Sequence, residues 1–126
     1  MIRVGGQEGL DYPGYCRVIW RSHVGEVSDL AGPDRRYLMA LVFATEAALR
    51  QLYAPQKMNL ASLGNLVPHV HWHVIPRFID DPHFPASIWS GNRLQHIPTM
   101  PRPPVSNHEL HQAISLAFSE GQGDGA

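Results

Sequence analysis

Three histidines occupy alternate positions in one short segment, Pro-His-Val-His-Trp-His-Val-Ile-Pro-Arg-Phe, at residues 68 to 78. On a β-strand His69, His71 and His73 would share one face, because side chains alternate between the two faces of a sheet. A neutral imidazole has a free lone pair and an ordinary pKa of roughly 6.5, so it can attack phosphorus and later leave. Neighbouring rings can hold the nucleophile and donate hydrogen bonds to phosphate oxygens. The spacing therefore indicates nucleophilic catalysis on a phosphoryl group.

Two other interpretations of this row stay open. A half-exposed strand with histidines on its outer face would carry no chemistry, although three in five positions are improbable by composition. A His-x-His-x-His row also suits zinc, copper or iron. Asp80, Asp81 and His83 follow closely in the sequence and are candidates for a further ligand. A metal-dependent enzyme is therefore the alternative from a different class.

The row must be positioned by a sheet, and three segments have strand character. Residues 15 to 20 are β-branched and aromatic, residues 58 to 63 form a second such segment, and residues 69 to 75 form the third. Pro68 and Pro76 bracket the third segment, which predicts that the strand ends at both of them.

Two helices complete the expected fold. Pro33 and Asp34 begin the clearest one, since proline and an acidic residue both favour a first helical turn. Its apolar residues recur at helical spacing as far as Tyr53. Ser106 and Glu109 form a capping-box pattern ahead of a short amphipathic helix. This order predicts an α+β fold: an antiparallel sheet with one long helix and a short C-terminal helix.

The length of 126 residues predicts one domain, residues 1 to 120, followed by a disordered tail at 121 to 126. Residues 80 to 104 are rich in proline and are expected to be extended or irregular. Trp89 within them could pack on the sheet or reach a partner's site, and core packing is the favoured expectation.

Composition narrows the class of function. The net charge is -1 with neutral histidines, and the nine arginines and one lysine are spread along the chain, so nothing suggests nucleic-acid or membrane partners. No apolar run is long enough to span a bilayer. The lone Cys16 lies in an apolar context and is interpreted as a small core residue. A single cysteine without a signal peptide predicts a reducing, cytoplasmic location.

The histidine row carries a resemblance to a known family. It fits the pattern His-φ-His-φ-His-φ-φ, with φ apolar, and resembles the histidine triad (HIT) superfamily of nucleotide hydrolases and transferases. His23, after a predicted strand and before the long helix, is similar to the family's upstream histidine. Asn59, ten residues before His69, is similar to an asparagine on the neighbouring strand. The likeness covers residues 15 to 78 and is greatest to a bacterial branch labelled diadenosine tetraphosphate hydrolase-like.

The resemblance implies catalytic roles for the four histidines. His71 would attack an α-phosphorus and form a nucleotidyl-imidazole intermediate. His69 and His73 would position it and contact phosphate oxygens, and His23 would buttress the cluster. His73 also favours a hydrolase, because the family's uridylyltransferase branch carries glutamine there.

The resemblance also implies what the site would bind. Asn59 and Asn65 would hold phosphate or ribose, although Asn65 is equally well explained as a loop residue that tolerates left-handed backbone. The substrate would be a purine nucleotide: a dinucleoside polyphosphate or a nucleoside phosphoramidate, cleaved without a metal or other cofactor. Leu66 stands where many members have serine or threonine, so a nucleotide-binding module without turnover is a further alternative. The family fold implies a homodimer.

Overall fold

The protein is described here by a computed structural model that covers residues 1–91, 93 and 102–124, apart from the side chains of residues 123 and 124. Its elements, in chain order, are β1 (Ile2–Arg3), α1 (Gly6–Asp11), β2 (Cys16–Ile19), a 3₁₀ turn (Val27–Asp29), α2 (Gly32–Tyr53), β3 (Lys57–Ala61), β4 (His71–Arg77) and α3 (Asn107–Asp124).

The four strands form one antiparallel sheet in the order β1-β2-β4-β3, which confirms the α+β prediction. β4 is therefore hydrogen-bonded on both sides. Along β2, Arg17 lies opposite His73 and Ile19 lies opposite His71. On the other side, Ala61 of β3 is also opposite His73. Since directly paired residues share a face, the two β4 histidines project beside Arg17 and Ile19.

The long helix α2 covers the opposite face of the sheet. Pro33 stands in its first turn, and Ala54 ends it in the left-handed conformation, just before Pro55. Its buried stripe packs with β4 and α3 in the main core, which contains Leu38, Val42, Ala44, Ala48, Leu49, Val74, Leu110 and Ile114. Within the described residues, the histidine face is covered only at its far end, where Tyr12, Tyr15, Ile75 and Ile88 form a second buried cluster.

The triad strand lies two residues later than predicted. β4 begins at His71 instead of His69, because the chain before it pairs with the segment that follows β2: the Val70 N–H donates to Val24, and its carbonyl accepts from Trp20. At the other end Pro76 lies inside the strand. The β2 ladder stops opposite Val74, so no β2 residue requires an N–H from the proline.

Both ends of the chain hold more helix than predicted. The helix α1 is not predicted, because its segment is rich in glycine. The helix α3 has 18 residues where a short helix is expected. α3 continues through residues 121 to 124 of the predicted tail. Gly121 keeps a helical conformation and does not end the helix in a left-handed turn. Glycine in a helix costs about 1 kcal/mol relative to alanine. Residues 125 and 126, and 92 and 94–101 of the proline-rich stretch, lie outside the described residues.

Candidate active site

A pocket of about 1030 Å³ lies on the face of the sheet opposite α2. Its floor contains His71 and His73 of β4 with Arg17 and Ile19 of β2. Its rim is formed by residues 63 to 67, His69 and Trp89. The volume is at the upper end of the usual range for small-molecule sites. The sheet thus presents the histidine row to a cavity large enough for a nucleotide.

His71 has its tautomer fixed by the backbone. Its Nδ1 lies 2.6 Å from the carbonyl oxygen of His69. A carbonyl only accepts hydrogen bonds, so Nδ1 must carry the proton and the neutral ring keeps its lone pair on Nε2. Among the described residues, no group hydrogen-bonds this second nitrogen. In its neutral form His71 therefore presents the Nε2 lone pair to the pocket, which is what a nucleophile requires.

His69 has a partner at each ring nitrogen. Its Nε2–H donates to the carbonyl oxygen of Trp20, which leaves Nδ1 as an acceptor. The Nδ1 of His23 lies 3.3 Å from that acceptor, with the two rings 5.4 Å apart. The structure thus brings His23 to the triad, as the resemblance implies. With both nitrogens engaged, His69 acts on His71 through its carbonyl oxygen instead of offering a ring nitrogen to a ligand.

His73 is the buried member of the triad, with 6% of its surface exposed. Its Nδ1 lies 2.6 Å from the hydroxyl oxygen of Tyr15, and its ring contacts those of His71 and Trp89 edge-on, with centroids 5.0 and 4.9 Å away. Burial, the neighbouring His71 imidazole and the charge on Arg17 together lower the pKa of His73 to about 4. His73 is consequently neutral at pH 7.

Arg17 supplies positive charge at the floor of the pocket. It lies opposite His73 in the β2–β4 register, and its guanidinium sits 5.4 Å from the centroid of the Tyr15 ring. Glu8 lies 3.6 Å away, in a partly exposed pair. The Nε of Arg17 is buried without a hydrogen-bond partner among the described residues. Together with Arg21 on the rim, Arg17 could neutralise part of a bound phosphate.

The two asparagines lie in different surroundings. Asn65 lines the pocket from the loop that precedes β4. Asn59 lies opposite Ile75, further along the same face, and its side-chain oxygen accepts a hydrogen bond from Arg77 at 2.8 Å. It is absent from the pocket lining, which consists of described residues. Asn65 is thus placed for ligand contact, whereas Asn59 takes part in a neighbouring buried network.

That network is built on an ion pair between Arg77 and Asp81, both almost fully buried. The Asp81 carboxylate accepts from Arg77 at 2.8 and 3.0 Å and from three backbone N–H groups, those of Phe78, His83 and Phe84. Although burial acts to raise the pKa of Asp81, these hydrogen bonds lower it overall. The carboxylate therefore organises the turn that leaves β4.

The Arg77 guanidinium also binds the segment that leads to the pocket. Arg77 donates at 2.7 Å to the carbonyl oxygen of Ala86, three residues before Trp89. Trp89 is 47% exposed and forms part of the pocket wall against His73. The expectation that Trp89 packs in the core is wrong, because the anchored turn carries it back across the sheet to the histidine face.

The three side chains considered as further metal ligands, those of Asp80, Asp81 and His83, each bind another residue. Asp81 binds Arg77, Asp80 pairs with Arg102 at 2.6 Å, and His83 is hydrogen-bonded to the Tyr12 hydroxyl. Within residues 1–91, 93 and 102–124, no three His, Cys, Asp or Glu side chains are grouped so that they could hold a metal ion. The donor set of the described residues thus does not fit the metal-dependent alternative.

Sequence reasoning missed three residues of the site: Tyr15, Arg17 and the pocket-facing Trp89. Alternation along β2 puts Arg17 on one face with Ile19, but only the pairing with β4 shows that this is the histidine face. Nothing in the sequence links Tyr15 to His73. The reading of Cys16 is confirmed, since it is fully buried and burial raises the pKa of its thiol to about 11.

Comparison with known proteins agrees with this geometry. Residues 11–80 match the family model described as the HIT domain. A histidine triad protein of Bradyrhizobium japonicum is 29% identical, with 87% of this chain and 75% of that chain covered and a TM-score of 0.60. One of Sinorhizobium meliloti is 26% identical, with 88% and 76% covered and a TM-score of 0.61.

A third solved structure is similar in fold. It is a histidine triad protein of Marinobacter aquaeolei, 23% identical, with 88% of this chain and 77% of that chain covered and a TM-score of 0.62. No match was found among curated proteins. In the part of the chain that is described, no helix is both long and apolar enough to cross a membrane.

Proposed function

The chain belongs to the HIT domain family, whose members are commonly nucleotide hydrolases or transferases, and from this premise we propose that it hydrolyses nucleotides through His71. The substrate is a purine nucleotide, either a dinucleoside polyphosphate or a nucleoside phosphoramidate, cleaved at the α-phosphate. The reaction passes through a nucleotidyl-histidine intermediate and uses no metal. We place the chain with the bacterial diadenosine tetraphosphate hydrolase-like branch, in a cytoplasmic setting.

The observation that carries this proposal is the hydrogen bond from His71 Nδ1–H to the carbonyl oxygen of His69. It holds the neutral ring in the tautomer whose Nε2 has a lone pair. A nucleophile activated in this way needs no separate general base, because no proton has to be removed before attack. This feature favours covalent catalysis over simple binding of a nucleotide.

The proposed chemistry proceeds in two displacements. First, the Nε2 lone pair of His71 forms an N–P bond, and the bond from phosphorus to the leaving oxygen or nitrogen breaks with its electron pair. Then a water oxygen bonds to phosphorus, and the N–P electrons return to Nε2. One hydrogen of the water stays with the nucleoside monophosphate, and the other balances the leaving group through solvent.

Charge developing on the phosphoryl oxygens would meet Arg17 and the ring N–H of His73. Both residues line the pocket, Arg17 from β2 and His73 from the paired position on β4. Donors fixed by a sheet need no reorganisation when charge develops, which is the usual basis of such stabilisation. Asn65 and the half-exposed Trp89 then line the remaining wall against ribose or base.

Turnover with a chelator present throughout tests the proposal. Wild type, His71→Ala and the control His111→Ala would be compared on diadenosine tetraphosphate and on an adenosine phosphoramidate. His111 is exposed on α3, outside the pocket. We expect the control to match wild type and His71→Ala to lose at least about a thousandfold in kcat.

Two outcomes would contradict the proposal and favour an alternative function. Activity that the chelator abolishes would support the metal-dependent alternative. AMP binding without turnover of either substrate would identify a nucleotide-binding module, an outcome that the apolar Leu66 at the pocket rim makes worth testing. The relative kcat/KM of the two substrates identifies the leaving group.

We further propose that the protein is a homodimer, as the family resemblance implies. Tyr37 and Phe43 of α2 are each more than half exposed and provide apolar surface away from the sheet. Sedimentation equilibrium should give twice the 14.1 kDa mass of one chain. A monomer at micromolar concentration would contradict this part of the proposal.

A further inference from the structure

The Tyr15 hydroxyl and His73 form a hydrogen bond beside the pocket, where Tyr15 is 1% exposed. Tyr15 immediately precedes β2, and its ring lies 5.8 Å from that of His73. Its hydroxyl is directed at the Nδ1 of His73, on the side of the imidazole away from Nε2. The contact therefore acts on the triad from outside the pocket lining, without occupying the space where a ligand would bind.

The direction of this hydrogen bond follows from the neighbouring groups. Burial raises the pKa of the Tyr15 hydroxyl, so the phenol keeps its proton. Arg17, the other polar side chain beside it, only donates and cannot accept that proton. Within the described residues, Nδ1 of His73 is the acceptor that remains. If Nδ1 carried the proton instead, the buried O–H would be left unsatisfied, which costs about 1–3 kcal/mol.

We propose that Tyr15 is a positioning residue that holds His73 as the Nε2–H tautomer, so that the third histidine of the triad is a neutral hydrogen-bond donor to a phosphoryl or leaving-group oxygen. The inference rests on the proposed function for its catalytic consequence. The two neighbouring imidazoles then have different roles. His71 presents a lone pair at Nε2, because its Nδ1–H donates to a carbonyl oxygen. His73 presents an N–H at Nε2, because its Nδ1 accepts from the Tyr15 hydroxyl.

The groups around His73 also favour its neutral form. On its own strand it faces His71, and from β2 it faces Arg17, whose charge is partly offset by Glu8 of α1. Trp89 covers a further edge of the ring. A cation and a titratable imidazole at close range both disfavour an imidazolium. His73 can then donate without gaining charge, and removal of the Tyr15 donor should make protonation easier.

The chain contains a matched control for this residue. Tyr12 is also buried, at 4% exposure, and its hydroxyl is likewise hydrogen-bonded to a histidine Nδ1, that of His83. The rings of Tyr12 and Tyr15 pack edge to face with centroids 6.5 Å apart, in one core cluster. Tyr12 does not line the pocket. Tyr12→Phe thus removes the same kind of bond from the same cluster without affecting the triad.

The experiment is nitrogen-15 NMR of the histidine rings together with the pH dependence of kcat. In the wild type, His73 should show a proton on Nε2 and none on Nδ1 near pH 7. Tyr15→Phe should lower kcat by about three- to tenfold with KM little changed, and should move the acid limb of the kcat profile upward by about half a pH unit or more. Tyr12→Phe should leave both quantities unchanged.

Two results would overturn the inference. One is a wild-type His73 that carries its proton on Nδ1, a measurement that requires no variant to fold and no turnover. The other is a Tyr15→Phe protein whose kcat and acid limb match those of Tyr12→Phe, which would leave Tyr15 a purely structural role. Absence of turnover in the wild type would defeat the proposed function instead, while the ring protonation would still decide how Tyr15 acts.

Discussion

The carboxylate of Asp81 should be among the most sensitive positions for stability, and Asp81→Ala tests this directly. It is 2% exposed and accepts two hydrogen bonds from Arg77 and three from the backbone of the turn after β4. The substitution would leave the Arg77 guanidinium, itself 1% exposed, without its counter-ion. The turn that carries Ala86 and Trp89 would lose its anchor at the same time.

The size of the effect follows from these contacts. Removing one partner of a buried ion pair costs about 3–5 kcal/mol, because the other charge stays buried and unpaired. Arg77 keeps two acceptors, the side-chain oxygen of Asn59 and the carbonyl of Ala86, which reduces that penalty. The three backbone N–H groups gain water as the turn loosens. We therefore expect a loss of about 4 kcal/mol, a large part of the roughly 5–15 kcal/mol available to a domain.

Urea unfolding followed by circular dichroism measures this loss. Glu8→Ala is the control, since it breaks the partly exposed pair with Arg17 and should change the free energy of unfolding by less than about 1 kcal/mol. The double variant Arg77→Met, Asp81→Ala should regain part of the loss, because it no longer buries an unpaired charge. A cost below about 1 kcal/mol for Asp81→Ala would refute the reasoning that this carboxylate organises the turn.

Two further predictions concern the pocket. His73 has a pKa of about 4 when folded against 6.5 for an ordinary histidine, so the unfolded state binds the extra proton and stability should fall as the pH drops from 6.5 to 4. The loss is about 3 kcal/mol at most, and His73→Gln should flatten this part of the curve in urea titrations. Trp89→Ala should weaken AMP binding by about 5- to 150-fold, the range that corresponds to an aromatic–base stack of 1–3 kcal/mol, with little loss of stability since the indole is 47% exposed. Calorimetry measures this affinity, and an unchanged Kd would show that the base does not contact Trp89.

The features that could be predicted from the sequence are those with local causes. The spacing of His69, His71 and His73 depends on adjacent residues alone, and it led to the family. The long helix was predicted from Pro33 to Tyr53 and runs from Gly32 to Tyr53, because its first-turn proline and the proline after its end act within a few residues.

Features that depend on distant parts of the chain were not predicted. The start of β4 is set by pairing with β2, more than 50 residues earlier, so the strand was placed two residues early and His69 was assigned to it. Tyr15 meets His73 across 58 residues of sequence. Trp89 returns to the site through a turn that the Arg77–Asp81 pair and the bond from Arg77 to Ala86 anchor.

The central claim is that His71 attacks phosphorus, and rapid-quench mass spectrometry of the intact protein tests it most directly. Wild type, His71→Ala and His111→Ala would each be mixed with adenosine phosphoramidate or diadenosine tetraphosphate in the presence of chelator and quenched under conditions that preserve phosphoramidates. We expect a nucleotidyl group on wild type and on His111→Ala, located at His71 by peptide mapping, and none on His71→Ala. A nucleotidyl group on any other residue, or turnover by His71→Ala at the wild-type rate, would contradict the account.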